Sequence, residues 1–186
     1  GTLWIQIRLV GPCIGDGLGH GYWAEEGNVG IDPEPIGSGM ALITLDRSWL
    51  ADCLALDRCA LQGLWNEEQW RRELEDPRRL CLGWTEAKTL LGVACGWLVA
   101  DELHITVVAV DPSVRRRGHG KQLLSALLQQ ARQQGAIHAT LEVSSNNTGA
   151  IALYADAGFQ SAGTRRKYYS DRSNALIQWC RINPLN

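Results

Sequence analysis

The chain of 186 residues lacks the features that would place it in a membrane or on a nucleic acid. No apolar run approaches the roughly 20 residues that a transmembrane helix needs, and the N-terminus does not show the charged-then-apolar pattern of a signal peptide. The net charge is −2, so the chain has no basic field of the kind that nucleic-acid-binding proteins carry. We therefore expect a cytoplasmic protein that contacts neither a membrane nor, directly, nucleic acid.

Metal-ligand spacing is also absent. The six cysteines form no C-x-x-C pair, and the four histidines have no regular spacing relative to one another or to the cysteines. Most of the cysteines lie inside apolar runs, where a thiol behaves as a small hydrophobic side chain. The sequence therefore predicts reduced core cysteines and no bound metal.

The composition that is present, 45% hydrophobic and 20% charged, is typical of a globular domain. Residues 1–39 differ from the rest because residues 11–39 hold nine glycines and three prolines, and the only methionine, Met40, directly precedes the first clear strand pattern. We expect residues 1–39 to be a disordered or non-native extension and residues 40–186 to form the domain. The alternation at residues 3–7 leaves open a real extra edge strand.

From Met40 onward the hydrophobic pattern and the turn residues predict a series of strands and helices. Ser48 is the candidate cap of the first helix, and Gly135 is the predicted end of the third. Antiparallel strands followed by alternating strands and helices imply a mixed α/β sheet with helices on both faces. The predicted strands are 41–46, 79–85, 89–100, 102–110, 137–144, 159–168 and 175–182, and the predicted helices begin at 48, 67, about 119 and 148.

The most informative segment is residues 115–121, with the sequence RRRGHGK, between an apolar run and an amphipathic run. We interpret it as a tight turn between a strand and a helix. Gly118 and Gly120 let the backbone approach a ligand closely, and the first turn of a helix presents unpaired N–H groups. Such a helix start, with four fixed cations around it, is typical of an anion site. The other interpretation is an ordinary loop with solvated arginines.

Two segments carry a resemblance to a known family. The pattern RxxGxG at residues 115–120 resembles the acetyl-CoA signature of the GNAT acetyltransferases, and LYxxxGF at 153–159 resembles their second signature. Residues 141–147 and 165–169 are more specifically similar to the RimI-type protein N-terminal acetyltransferases, which modify the terminal alanine of a small-subunit ribosomal protein. The resemblance covers about residues 41–183 and implies the GNAT fold, an α/β fold with a mixed, mostly antiparallel sheet, helices on both faces and a splayed central strand pair.

The resemblance implies acetyl-CoA as the cosubstrate. The pyrophosphate of coenzyme A would be held by backbone donors and positive charge at the glycine turn, and the pantetheine arm would meet a strand irregularity that exposes an N–H to the thioester carbonyl. Asn147 either caps a helix or bonds the pantetheine amides, and these two roles are compatible. The residues placed on the cosubstrate are Val108, Ala109, Val110, Arg115, Arg116, Arg117, Gly118, His119, Gly120, Lys121 and Asn147.

Glu142 is the candidate general base. On the strand 137–144 it shares one face with Thr140, while the other face is apolar. A central parallel strand is normally apolar on both faces, so the polar face indicates a cleft beside the strand. Without the resemblance, a solvated glutamate or an ion pair with an arginine explains Glu142 as well. The resemblance implies that Glu142 accepts a proton from the substrate ammonium through water.

Tyr154 is the candidate general acid. Its position on a helix among alanines is typical of a core tyrosine with a tethered hydroxyl. The resemblance implies instead that its O–H protonates the departing thiolate of coenzyme A.

Three aromatic residues are candidates for acceptor binding. Residues 64–66, Leu-Trp-Asn, resemble the Pro-Trp-Ser step in the family's loop over the peptide site, with leucine in place of proline, and Trp65 is its central residue. Tyr168 and Tyr169 lie where family members line the groove for the substrate N-terminus. A core position for Trp65 and exposed hairpin positions for the tyrosines remain open. Glu102 and His104 share a strand face and are expected to form an edge pair.

The resemblance therefore implies direct transfer of an acetyl group to an N-terminal alanine, that of a small-subunit ribosomal protein, in a ternary complex. No covalent intermediate is expected, because Cys95 has no histidine near it in the sequence. Two alternatives remain: the same chemistry on a lysine side chain or small-molecule amine, and a non-catalytic acyl-CoA-binding module.

Overall fold

The computed structural model describes residues 34–35 and 39–182, which form one eight-stranded sheet covered by helices. Most of the predicted extension, including the alternating residues 3–7, lies outside the described residues, although Glu34 and Pro35 pair with the first long strand. The strands are β1 (Glu34–Pro35), β2 (Met40–Thr44), β3 (Arg79–Glu86), β4 (Thr89–Val99), β5 (Glu102–Val110), β6 (His138–Ser144), β7 (Gln160–Arg165) and β8 (Ala175–Arg181). The helices are α1 (Leu50–Ala60), α2 (Glu67–Glu75), α3 (His119–Gln133) and α4 (Thr148–Asp156).

Local sequence signals set most element boundaries. Asn66 and Gln69 form a reciprocal capping box at the start of α2, and Gly135 has a φ of +96° just after α3, where a left-handed residue ends a helix. The prediction that Ser48 caps the first helix is wrong. Asp46 accepts the Ser48 N–H at 2.8 Å and starts a short 3-10 turn before α1, because an aspartate two residues earlier closes the turn first.

The sheet has the strand order β1-β2-β3-β4-β5-β6-β8-β7, and every neighbouring pair is antiparallel except β5 and β6. The parallel pairing of β5 with β6 covers only Glu102↔His138 to His104↔Thr140. Beyond that point β5 continues to Val110 and β6 to Ser144 without a ladder between them. The predicted splayed central pair is therefore confirmed, and it leaves a gap in the middle of the sheet.

A β-bulge lies in β5 next to this gap. Val107 pairs with Cys95 and Ile105 pairs with Gly96, so Thr106 is one extra residue on β5. The bulge inverts the alternation of side chains: Leu103 and Ile105 pack on the same side as α3, and after the bulge Val108 and Val110 do so. The strand irregularity that the resemblance implied is present at Thr106.

Helices cover both faces of the sheet, as predicted. One core cluster joins the sheet to α3 and α4, and the other joins it to α1 and α2. Cys53, Cys81, Cys95 and Cys180 are buried free thiols, which confirms the expectation of reduced core cysteines for these four. Cys59 is half-buried, and Cys13 lies outside the described part of the chain. None of the helices in the described part is long and apolar enough to cross a membrane.

Candidate active site

The turn from β5 into α3 has the geometry of an anion site. Arg116 and Gly118 have positive φ values of 60° and 86°, and α3 begins immediately afterwards. The first N–H groups of α3 have no partner one turn earlier in the helix, so they are available to a ligand. Arg116, Arg117 and Lys121 are exposed around this helix start, and Arg115 instead donates from Nε to the carbonyl of Val110 at 3.0 Å.

The two residues between Gly118 and Lys121 contribute backbone rather than side chains to this turn. The His119 ring is buried and stacks on Trp84 with 3.6 Å between ring centroids, so only its N–H faces the helix start. A Cβ on Gly120 would lie 3.5 Å from Leu153 and 3.7 Å from Val110, which is ordinary van der Waals contact. A larger or charged side chain there would meet α4 and the end of β5.

Glu142 lies on β6 beside the gap and is 7% exposed. Its Oε1 accepts a hydrogen bond from Arg165 Nε at 2.7 Å, while its Oε2 is buried and accepts no hydrogen bond from the residues that the structure describes. A buried carboxylate oxygen without a donor is costly unless a ligand or water supplies one. Glu142 therefore forms the ion pair that one interpretation expected, and it also faces a cleft, as the polar face of the strand indicated.

That cleft is a cavity of about 810 Å³ on the α1 and α2 side of the sheet. Its walls come from the segment before α2, from α2 and from six strands, β3 to β8. The polar and aromatic side chains that line it include Trp65, Glu73, Glu102, His104, Thr106, Thr140, Glu142 and Arg165. The sequence indicated a cleft at this strand, but not its other walls.

Glu102 and His104 form the expected pair, with 3.0 Å between Glu102 Oε1 and His104 Nε2. Their location differs from the prediction of an edge pair, because β5 is a central strand of the sheet and both side chains line the cavity. Thr140 of β6 joins them, lying 3.1 Å from Glu102 Oε1 and 3.1 Å from His104 Nδ1. This group marks the point where β5 and β6 begin to diverge.

Tyr154 lies on α4, on the opposite face of the sheet from the cavity. It is fully buried in the cluster that contains α3, its ring packs edge-on against Phe159, and its hydroxyl has no hydrogen-bond partner among the described residues. The tethered hydroxyl of an ordinary core tyrosine is therefore absent here. Burial raises the pKa of Tyr154, which keeps the phenol protonated and able to donate.

Tyr169 lies close enough to both candidate catalytic residues to interact with their charges. It is buried, and it interacts electrostatically with both Glu142 and Tyr154. Burial and then the charge of Glu142 raise the pKa of Tyr169, so it is also a neutral phenol. Tyr168 is 36% exposed, and the Arg165 guanidinium lies 5.7 Å from its ring centre. Both tyrosines thus lie near Glu142, one inside the protein and one at the surface.

Trp65 is buried in the core against Trp70 and also lines the cavity, so the core and acceptor interpretations are compatible. Its position depends on Asp57, which is 1% exposed. The Asp57 carboxylate accepts hydrogen bonds from the N–H groups of Leu64 and Trp65 at 2.7 and 2.9 Å and from Trp70 Nε1 at 2.6 Å. Asp57 is not among the residues predicted from the sequence, although an aspartate among the apolar residues of α1 could have indicated a buried hydrogen-bond acceptor.

Asn147 has the capping role that was one of its two expected roles. Its side-chain oxygen accepts the N–H of Ala150 at 3.1 Å at the start of α4. This bond holds the N-terminal end of the helix that carries Tyr154.

One group of potential metal ligands lies in the described part of the chain. Ligand atoms of Glu73, Cys81 and Cys95 are within 4.8 Å of one another. Both Glu73 oxygens already accept hydrogen bonds, from Thr106 and from Arg79, and burial raises the pKa of both thiols. A metal needs deprotonated thiols, and the Arg79 charge opposes a cation. The group is therefore poorly suited to a metal ion.

The comparison with known proteins agrees with this arrangement. A model of the acetyltransferase (GNAT) family matches residues 47–159. The N-alpha-acetyltransferase RimI of Mycobacterium tuberculosis is 35% identical over 144 residues, which are 74% of this chain and 87% of that protein. The ribosomal protein bS18-alanine N-acetyltransferase of Salmonella typhimurium is 39% identical over 92 residues, 50% of this chain and 62% of that protein.

Among solved structures, the ribosomal-protein-S18-alanine N-acetyltransferase of Escherichia coli superimposes with a TM-score of 0.73 at 29% identity, covering 79% of this chain and 96% of that one. The splayed sheet, the glycine turn and these matches together show that the chain belongs to the GNAT acetyltransferase family.

Proposed function

We propose that this protein transfers the acetyl group of acetyl-CoA directly to the α-amino group of an N-terminal alanine, with a ribosomal protein as the acceptor. The observation that carries the proposal is the gap between β5 and β6. A glycine turn suited to a diphosphate lies at the end of β5, while a cavity with a partly unsatisfied carboxylate lies on the other face.

The residues on the α3 side fit acetyl-CoA. The first N–H groups of α3, with Arg116, Arg117 and Lys121 around them, would hold the pyrophosphate, and the backbone of residues 108–110 would hold the pantetheine arm. On this face of the sheet, Tyr154 offers a buried hydroxyl that has no hydrogen-bond partner among the described residues. When bound, acetyl-CoA supplies an activated acyl carbon.

On the cavity side, Glu142 is the group that removes a proton from the acceptor. An α-ammonium group has a reference pKa of about 7.7 to 8.0, so a carboxylate at neutral pH completes its deprotonation without an extreme shift. Arg165 holds Oε1 and leaves Oε2 for the ammonium or for a bridging water. Tyr154 gives its proton to the departing thiolate as the C–S bond breaks, and the second proton lost by the attacking nitrogen restores the Tyr154 phenol, so one net proton leaves through Glu142.

The cavity and the relatives support a polypeptide acceptor. A volume of about 810 Å³ is near the upper end of small-molecule sites, so the cavity has room for the first residues of a chain beside Trp65. The relatives from Salmonella typhimurium and Escherichia coli are named for the alanine of ribosomal protein bS18. Such an acceptor places the protein in the cytoplasm, and no step of the reaction calls on a metal ion, a nucleic acid or a membrane.

One assay tests the proposal. The protein is incubated with acetyl-CoA and one of three acceptors: a peptide that begins with the alanine of a ribosomal protein, an Nα-blocked lysine peptide, or a polyamine. Thiol release and the mass of each acceptor are followed, and the alanine peptide with its N-terminus already acetylated is the matched control. We expect acetylation of the free alanine peptide only. Acetylation of only the lysine peptide or the polyamine would contradict the proposed acceptor. Tight binding of coenzyme A without turnover would indicate a non-catalytic binding module.

A further inference from the structure

The bulge in β5 decides which backbone groups face the gap. In an antiparallel ladder, successive N–H groups point alternately toward the partner strand and away from it, and an inserted residue reverses this order from that point on. Thr106 is the inserted residue, so it sets the orientation of the N–H groups of residues 107–110. Those are the groups that a thioester carbonyl would meet in the proposed reaction.

A bulged residue is less constrained by the ladder than its neighbours, so another contact has to fix it. Here the contact comes from α2: Thr106 Oγ1 donates to Glu73 Oε1 at 2.7 Å. Glu73 is 4% exposed, although it is a charged residue on a helix whose other acidic residues lie at the surface. A carboxylate is rarely buried unless specific cations or hydrogen-bond donors are paired with it.

Glu73 is itself held on both sides. Arg79 of β3 donates to Glu73 Oε2 at 2.5 Å, and Cys81 Sγ donates to the Glu73 carbonyl oxygen at 3.5 Å. The Arg79 guanidinium lies 5.2 Å from the ring centre of Trp97 on β4. The anchor is therefore a chain of contacts from β4 and β3 through Glu73 to the bulge.

We propose that the Glu73–Thr106 hydrogen bond is a positioning device that fixes the β5 bulge, so that backbone N–H groups beyond Thr106 point at the carbonyl oxygen of the bound acetyl thioester. Thr106 and Glu73 act through the backbone and are positioning residues. The inference rests on the proposed function, because it presumes that acetyl-CoA lies in the gap. It assigns α2, which also lines the acceptor cavity, a second task on the acetyl donor side.

The test compares Thr106→Val, which keeps the β-branched shape and removes the hydroxyl, with Thr106→Ser, which keeps the hydroxyl. The first readout is the ratio of the affinities for acetyl-CoA and coenzyme A, measured by calorimetry, because only acetyl-CoA has the thioester carbonyl. The second is the infrared carbonyl band of bound acetyl-CoA labelled with ¹³C at that carbon. We expect Thr106→Val to shift this band toward its position in water, to lower the affinity ratio and to reduce kcat about tenfold, since small misplacements of a catalytic group are costly. Thr106→Ser should retain all three wild-type values.

The outcomes separate the inference from the proposed function. A Thr106→Val protein that folds, binds acetyl-CoA and shows the wild-type band and affinity ratio would overturn the positioning role and leave the proposed function standing. A wild-type protein that binds no acetyl-CoA would overturn both. If Thr106→Val does not fold, Thr106→Ala removes the same hydroxyl with a smaller side chain and is judged by the same two readouts.

Discussion

The glycine turn and the acceptor cavity lie on the two sides of one gap, and the chain builds them in different ways. The turn uses seven consecutive residues, 115–121, and offers mainly backbone N–H groups at a helix start. The cavity takes side chains from the segment before α2, from α2 and from six strands, and its charged groups are arranged in pairs. One site is local in sequence, and the other depends on the whole fold.

This difference has an electrostatic side. Arg116, Arg117 and Lys121 are exposed around the helix start, so an anion that binds there displaces mainly water. In the cavity, Glu73 is paired with Arg79 and Glu142 with Arg165, so an acceptor ammonium must share a carboxylate that already has a cationic neighbour. Under the proposed function, we expect selectivity for the acceptor to depend on this competition inside the cavity and binding of the diphosphate to depend on the backbone geometry of the turn.

The largest effect is expected from a substitution that alters the cavity and leaves the turn unchanged. Glu142→Gln keeps an oxygen for Arg165 but removes the proton acceptor, so we expect turnover to fall by about 10² to 10⁴ at neutral pH, the range of a general base. The affinity for coenzyme A should stay unchanged, because the turn is untouched. Steady-state kinetics and calorimetry measure the two quantities.

Glu68→Gln, on the exposed side of α2, is the matched control and should keep full turnover. An unchanged rate in Glu142→Gln would remove this residue from the mechanism.

The contrast explains how much the sequence could predict. The strand, turn and helix around residues 115–121 follow from a local pattern, and the alternation along β6 correctly put Glu142 on the polar face with Thr140. Periodicity also gave the order of strands and helices. Each of these depends on residues within one or two turns of chain, which is the range over which propensity and alternation operate.

What the sequence could not show are the partners brought together by the sheet. Arg165 is 23 positions from Glu142, and Thr106 is 33 positions from Glu73, so no spacing rule connects either pair. The structure pairs them because β7 packs on β8 beside β6, and because α2 lies over the bulge. The Ser48 error has a smaller cause, since two residues that can cap a helix lie within three positions of each other.

A second, smaller effect tests whether the cavity can be loosened while the turn stays intact. Asp57→Ala leaves three donors without an acceptor, two of them buried and one partly buried, and at about 1 kcal/mol for each one we expect the free energy of unfolding to fall by about 3 kcal/mol. The loop with Trp65 should loosen, so the KM for the alanine peptide should rise while coenzyme A affinity is kept. Urea denaturation and peptide kinetics measure these changes.

Asp156→Ala, at the exposed end of α4, is the control and should change stability by no more than about 0.5 kcal/mol. If Asp57→Ala weakened coenzyme A and the peptide equally, the two sites would not be independent.

The smallest of these effects is expected from a substitution that alters the turn and leaves the cavity unchanged. Gly120→Asp adds a negative charge next to the helix start and a side chain directed at Leu153 and Val110, so we expect the Kd for coenzyme A to rise at least about tenfold, or about 1.4 kcal/mol. Gly120→Ala is the matched control: its Cβ makes only ordinary contacts, and alanine favours a helix, so affinity should be retained. Calorimetry with coenzyme A measures both. Equal affinity for the aspartate variant and the wild type would show that the diphosphate is held elsewhere, and the charge introduced at residue 120 would then have no anion to repel.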